Sequence, residues 1–179
     1  MAIQFVIEDG TVVAGATSYM SIAEMQQFWD NNGYDYSALT DDEIEVLLNK
    51  STKIIDNQYL SQWTGYRSDE DQDLQWPRYS AYYLDPPQYS IDEDIIPQEL
   101  KNGLAEMAYA INEGATLQPV ITAPGIVEET YVRVDVIQER KKYSSTFLNP
   151  RDSLYAVEDA LARLTGGSTG DFDIDIIRV

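Results

Sequence analysis

"PQELKNGLAEMAYAINEG", residues 97–114, decides the fold class. Leu100, Leu104, Met107, Ala108 and Ile111 recur at three- and four-residue intervals, which places them on one face of an α-helix. Pro97 suits a first helical position, where no amide proton is needed, and Gly114 supplies a stop. An apolar stripe of this kind has to be covered by other elements. The chain offers further helices to cover it. Ser21 and Glu24 have the spacing of a capping box, in which each side chain takes a free backbone amide of the other residue. Behind them Ile22, Met25, Phe28 and Trp29 share a face, and Asn31-Asn32-Gly33 ends the helix. Thr40 and Glu43 repeat the box ahead of a helix expected from about Asp41 to about Gln62. Its stripe is Ile44, Leu47, Leu48, Ile55 and Tyr59, and Asp41, Asp42 and Glu43 complement its positive end. A last helix is expected from about Arg151 to Thr165, with Leu154, Val157, Leu161 and Leu164 inward and Gly166-Gly167 as its stop.

The rest of the chain is not helical in pattern. Residues 3–21, IQFVIEDGTVVAGATSYMS, read as an extended arm with turns at Asp9-Gly10 and Gly15. Residues 126–138 alternate: Tyr131, Arg133, Asp135 and Ile137 fall on one side, and Val132, Val134 and Val136 on the other, a strand pattern. The tail alternates again, with Phe172, Ile174 and Ile176 on one face and Asp171, Asp173 and Asp175 on the opposite one. Such a segment can add a strand to an edge in its own domain or in a neighbour. The expected fold is mainly α: a small bundle of three to four helices with an inserted β-strand or hairpin and extended N- and C-terminal arms. Residues 1–165 form the helical domain, with a strand insertion near 126–143, and 166–179 form the C-terminal arm.

Composition narrows the function. The 179 residues suffice for one domain with a real core. No apolar run approaches the roughly 20 residues that cross a bilayer, so no membrane partner is expected. The opening MAIQFVIEDG lacks the basic and long apolar regions of a secretory signal. There is no cysteine and no histidine, so a Ser-His-Asp or Cys-His site cannot be built. Carboxylate pairs arise by chance among 31 acids, and the chain is read as no enzyme and as having no cofactor. Asp69, Glu70, Asp71 and Asp73 could offer oxygen ligands to a hard cation, but the glycine and glutamate of an EF-hand loop are missing. A solvated acidic loop is the simpler reading.

Charge is the strongest global feature. The net charge is −19 at neutral pH, and residues 1–100 carry 19 acids against 4 bases, whereas residues 101–179 carry 12 against 8. Nucleic-acid binders neutralise phosphates with clustered Lys and Arg; the run Arg140-Lys141-Lys142 is the one such cluster here.

Between the second helix and Pro97 lies a long stretch without helical period, residues 64–96. Its centre is DLQWPRYSAYYLDPPQY, residues 73–89. A loop this long in a compact domain is functional or disordered, and its aromatic content argues for order. Aromatic rings beside an arginine stack on bases in single-strand binders, inside a positive groove. From Asp69 to Glu99 there is one base, Arg78, against nine acids. Tyr, Trp and Arg are also the residues of protein interface centres. Trp76, Pro77, Arg78, Tyr79, Tyr82 and Tyr83, with Phe172, Ile174 and Ile176 of the tail, are therefore the candidate interface residues.

Several short motifs follow one another in a recognisable order: EDGTVVAGATSYMSIAE at 8–24, IIDNQY at 54–59, QWPR at 75–78 and IPQELKNGLAEMA at 96–108. In that order the chain, over about residues 5–165, resembles a family of tailed-phage proteins. Some members carry a DnaT-like label, after a primosomal single-stranded-DNA-binding protein. Others are described as head–tail connectors or adaptors. The connector label implies a mostly helical subunit, a dodecameric ring of itself beneath the portal protein, and a tail or nozzle protein below. It implies a lumen crossed by DNA without sequence-specific binding, and a place in the virion after assembly in the host cytoplasm. No catalytic residue follows from the resemblance. An acidic ring wall lets DNA slide without sticking, whereas a single-strand binder needs the opposite charge. The sequence reading is thus a head–tail adaptor, with a single-stranded-DNA-binding replication accessory as the alternative. Deleting residues 167–179 is expected to weaken assembly, read by mass in solution, while circular dichroism still reports the helical core; unchanged assembly would contradict an interface role for the tail.

Overall fold

The computed structural model describes residues 4–114 and 154–165, and the backbone of 132–134 and 137–139. Four helices are found among these residues: α1 (Ile22–Asn32), α2 (Asp41–Gln58), α3 (Gln98–Asn112) and α4 (Tyr155–Thr165). The fold is mainly α with small antiparallel pairs. β1 (Tyr66–Arg67) pairs with β2 (Arg78–Tyr79), and β3 (Val132–Val134) pairs with β4 (Ile137–Glu139) in the register Val134↔Ile137. Within the partly alternating stretch 126–138, residues 132–134 lie on β3 and 137–138 on β4, two paired strands rather than one, a difference that a period of two does not reveal. The tail with Phe172, Ile174 and Ile176, and the run Arg140-Lys141-Lys142, lie outside the described residues.

The helices form where their caps and stripes require. Both capping boxes are closed: Glu24 N–H donates to Ser21 Oγ at 3.2 Å while Ser21 N–H reaches Glu24 Oε2 at 2.7 Å, and Thr40 and Glu43 do the same at 3.4 and 2.9 Å. Gly33 closes α1 in the left-handed region at φ 70°, a conformation cheap for glycine. Two ends differ from expectation. α2 stops at Gln58, after which the Gln62 amide bonds the Tyr59 carbonyl; the tighter turn brings Trp63 back beside Tyr59, ring centroids 5.8 Å apart. Pro97 is the cap rather than the first helical residue. Its ψ of 141° is extended, and its carbonyl accepts the first helical bonds from Leu100 and Lys101.

α3 is central. It packs against α2 and α4 and also touches α1. Leu100, Leu104, Met107 and Ala108 are buried, as are Met25 and Trp29 of α1, Ile44, Leu48 and Ile55 of α2, and Val157, Leu161 and Leu164 of α4. The indole N–H of Trp29 donates to the Ala105 carbonyl at 3.1 Å, which satisfies the one polar group of a fully buried ring. The N-terminal segment loops round to run beside its own start in the same direction, with Ile7 in a parallel bridge to Ser18, and delivers Tyr19 and Met20 into the core. Buried Glu8 gathers the amides of Gly10, Val12 and Val13 at 2.8–3.0 Å. Gly10 lies so close to the backbone of Asp94 that a β-carbon would sit 1.9 Å from the Asp94 carbonyl oxygen.

One glycine sets the helix spacing. A β-carbon on Gly103 would meet Leu161 Cδ2 at 2.7 Å and Cγ at 2.8 Å, so α4 rests directly on the α3 backbone. Gly103→Ala is expected to lower the urea midpoint, even though alanine contributes about 1 kcal/mol over glycine inside a helix. A midpoint raised by that amount would mean that α4 does not press on this position.

Candidate functional site

The excursion 64–96 is ordered, and a buried polar cluster explains why. Asp56, on the inward side of α2, is 8% exposed. The hydroxyl of Tyr19 donates to its carboxylate, with Oδ1 at 2.6 Å and Oδ2 at 2.8 Å. The same phenol oxygen accepts the backbone amides of Gln75 at 2.9 Å and Trp76 at 3.2 Å. Asp56 Oδ2 lies 3.1 Å from the Gln75 amide as well. Two orphan donors of a strandless segment are thereby satisfied inside the protein. Burial raises both pKa values: it pushes Asp56 up to about 6, and it lifts the Tyr19 phenol well above its ordinary value, reinforced by the neighbouring carboxylate charge.

Trp76 is then carried fully inside, edge-on to Trp63 at 6.0 Å. Its peptide bond to Pro77 is cis, as is that between Pro86 and Pro87. Among the described residues, the indole nitrogens of Trp63 and Trp76 and the Tyr59 hydroxyl meet no acceptor, so this aromatic stack is held by packing. Arg78 is 7% exposed and turns its guanidinium on its own loop. Nε donates to the Thr64 carbonyl at 2.8 Å, Nη2 to that of Gly65 at 2.8 Å and Nη1 to that of Gln75 at 3.2 Å. Arg67, the other base of the excursion, gives Nη2 to the carbonyls of Glu70 and Gln72.

The candidate interface residues therefore divide. Trp76, Pro77 and Arg78 are buried within their own chain: the Trp76 ring packs against Trp63 and the guanidinium is spent on its own loop. Tyr83 is half-buried, donates to Glu99 at 3.1 Å and lies under the guanidinium of Arg163, 4.2 Å from its ring centre. Tyr79 and Tyr82 remain outside, 56% and 38% exposed, together with Tyr66 at 74% and Tyr89 at 61%. The acidic loop is occupied with turns. Asp73 accepts the Gly15 amide at 2.7 Å and Asp69 that of Asp71 at 2.8 Å. Among the described residues no three or more acidic side chains converge to hold a metal, and no helix is long and apolar enough to cross a membrane.

Sequence reasoning did not find Tyr19, Asp56 or Glu8. Asp56 was signalled by position: it stands one turn beyond Thr52 and directly after Ile55, on the stripe that has to be covered. An acid there needs a partner, and the phenol of the Ser-Tyr motif supplies it. The motifs of the resemblance thus converge in space, Tyr19 and Asp56 meeting the backbone of Gln75 and Trp76.

Asp56 makes stability pH-dependent. Its folded value of about 6 lies above the ordinary 3.8, so the native state takes up this proton before the unfolded chain does. The cost of the buried charge is full above about pH 6 and is relieved as the pH falls towards 4. Asp56→Asn cannot titrate. Between pH 7.5 and 4.5 wild type should gain about 2 kcal/mol relative to this variant in chemical denaturation; parallel pH profiles would contradict a raised Asp56.

A family model described as "Putative DnaT-like ssDNA binding protein" matches residues 3–179. No curated protein and no solved structure matches this chain significantly. The match carries the DnaT-like label; the connector label rests on the order of the motifs alone. The chain belongs to this DnaT-like family.

Proposed function

We propose that this family member is a non-enzymatic assembly subunit, in its most specific form a head–tail adaptor that rings the DNA path of a tailed phage under the portal. One observation carries the reading: the tryptophan and the arginine of the aromatic stretch are spent inside the protein. Trp76 is closed to solvent and Arg78 nearly so, and the guanidinium groups of Arg67 and Arg78 hold carbonyls of their own loop. A base-stacking site needs rings and cations that face outward together. The exposed tyrosines instead stand among acids, on a chain of net charge −19. A sliding duplex is tolerated by such a surface and a bound strand is repelled. The ring of copies, a dodecamer by the resemblance, the portal above, the tail-side protein below and the place in the virion all belong to this proposal.

Single-strand binding is the second reading. The description of the matched family favours it directly, and exposed Tyr66, Tyr79, Tyr82 and Tyr89 are the ring type that stacks on bases.

The two readings separate on one binding curve. Labelled oligo(dT) is titrated with the purified chain at about 50 and about 200 mM salt, the range over which phosphate contacts lose most of their affinity, and the mass is read in the same buffers. The adaptor reading predicts no binding at micromolar protein in either buffer, and rings when a cognate portal is added. Tight binding that weakens with salt would overturn it in favour of the second reading.

A further inference from the structure

We propose that the tyrosine face of the β1–β2 ribbon is a docking surface for an arginine-bearing segment of a partner protein; this rests on the assembly reading and specifies its contact. Tyr66 and Tyr79 are direct cross-strand partners, so their side chains leave the ribbon on the same face. They are 74% and 56% exposed, which is unusual for opposed aromatic rings on a clasped ribbon. Further along the same excursion Tyr82, bridged to Ser90, and Tyr89, whose carbonyl accepts the Tyr83 amide at 2.9 Å, are exposed as well. Exposed opposed aromatics of this kind mark an interaction site.

Charge selects the occupant. The run Asp92-Glu93-Asp94 comes up to the ends of the ribbon strands, where Ser68 Oγ donates to the Glu93 carbonyl at 3.4 Å and the Ile91 amide to the Ala81 carbonyl at 2.9 Å. All three acids are exposed. Exposed rings beside an acidic run suit a guanidinium, which stacks flat on a ring and donates to a carboxylate. The fold already uses this chemistry once, a short distance along the same segment. Arg163 lies over Tyr83 at 4.2 Å and donates to Asp85 at 3.1 Å and to Glu99. The ribbon offers exposed rings with the acidic run 92–94 close by in the fold, and among the described residues no cation lies over Tyr66 or Tyr79. Phosphate-bearing partners are disfavoured by the same acids, and an ammonium is a weaker match than a guanidinium because it offers no plane to stack.

The test uses the full chain and three labelled peptides of one length, an arginine–glycine–serine repeat and its lysine and glutamate counterparts, with labelled oligo(dT) titrated separately. Arginine peptide is expected to bind more tightly than lysine peptide, and glutamate peptide not at all. Tyr66→Ser/Tyr79→Ser, two exposed positions, should weaken arginine binding at least about tenfold with an unchanged circular dichroism spectrum. Asp41→Asn/Asp42→Asn on α2, away from the ribbon, should leave it unchanged. Equal binding by the tyrosine variant would reduce the effect to bulk charge and overturn this surface, while leaving the assembly reading intact. No arginine binding up to about 1 mM, a level at which any useful contact registers, would also overturn it. Because oligo(dT) captures an arginine peptide by itself, the DNA arm is read directly: salt-sensitive binding of labelled oligo(dT) to the chain, lost in the tyrosine variant, would make the tyrosines base platforms and overturn this proposal and the adaptor reading together.

Discussion

The hydrogen bond from the Tyr19 phenol to buried Asp56 is the contact on which the non-helical half of the molecule depends. A carboxylate without a partner on the inward side of α2 would be costly. With the phenol in place, its charge is shared over a short bond of 2.6 Å, and the pair presents oxygens to the amides of Gln75 and Trp76. Three separated pieces of chain, the N-terminal segment, α2 and the excursion, meet at this point. Once Trp76 is fixed there, Arg78 can tie Thr64 and Gly65, and the short β1–β2 ribbon is held although it has only two residues per strand. Low-dielectric surroundings make such a network stiff when all its members are satisfied.

The helical half follows simpler rules, and it is the half that the sequence disclosed. Stripes and capping boxes are local: Ser21 with Glu24, Thr40 with Glu43, and the Leu100–Ile111 face each lie within a few turns of chain, so spacing alone reveals them. What spacing cannot reveal is which element approaches which. Gly103 sits unremarked inside α3 until Leu161 is seen against it. Asp9-Gly10 reads as a turn, whereas the structural demand on Gly10 comes from Asp94, far along the chain. The aromatic stretch shows the same limit. Its residue types fit a packed centre or an outward platform equally, and only the clasp decides that Trp76 and Arg78 face in while Tyr66 and Tyr79 face out. Tyr19 and Asp56 are 37 residues apart, a separation no periodicity spans.

Function inherits this division. Four of the six cations among the described residues are engaged within the fold, Arg67 and Arg78 on loop carbonyls, Lys101 with Glu24 at 2.7 Å, and Arg163 with Asp85 and Glu99, while Lys50 and Lys53 of α2 are exposed. Lys101 and Arg163 thereby join α3 to α1 and α4 to the excursion. Such surface pairs contribute little to stability, but they remove positive groups from the face that a strand would meet. The family description points to single-stranded DNA, whereas the net charge is negative and Trp76 and Arg78 are buried. The excursion is the element on which both readings turn.

Hydrogen exchange at the Gln75 and Trp76 amides tests the clasp most directly. Both amides belong to a segment with neither helix nor long strand, and their protection comes from Tyr19 and Asp56. They are expected to exchange as slowly as the core of α2, by global unfolding. Tyr19→Phe, which keeps the ring and removes the hydroxyl, should release the Trp76 amide while α2 stays protected, the Gln75 amide keeping Asp56 Oδ2 as its acceptor. Fast exchange of these two amides in the wild-type chain would contradict the clasp: the excursion would then be free to turn Trp76 and Arg78 outward, and the case against a base-stacking surface would fall with it.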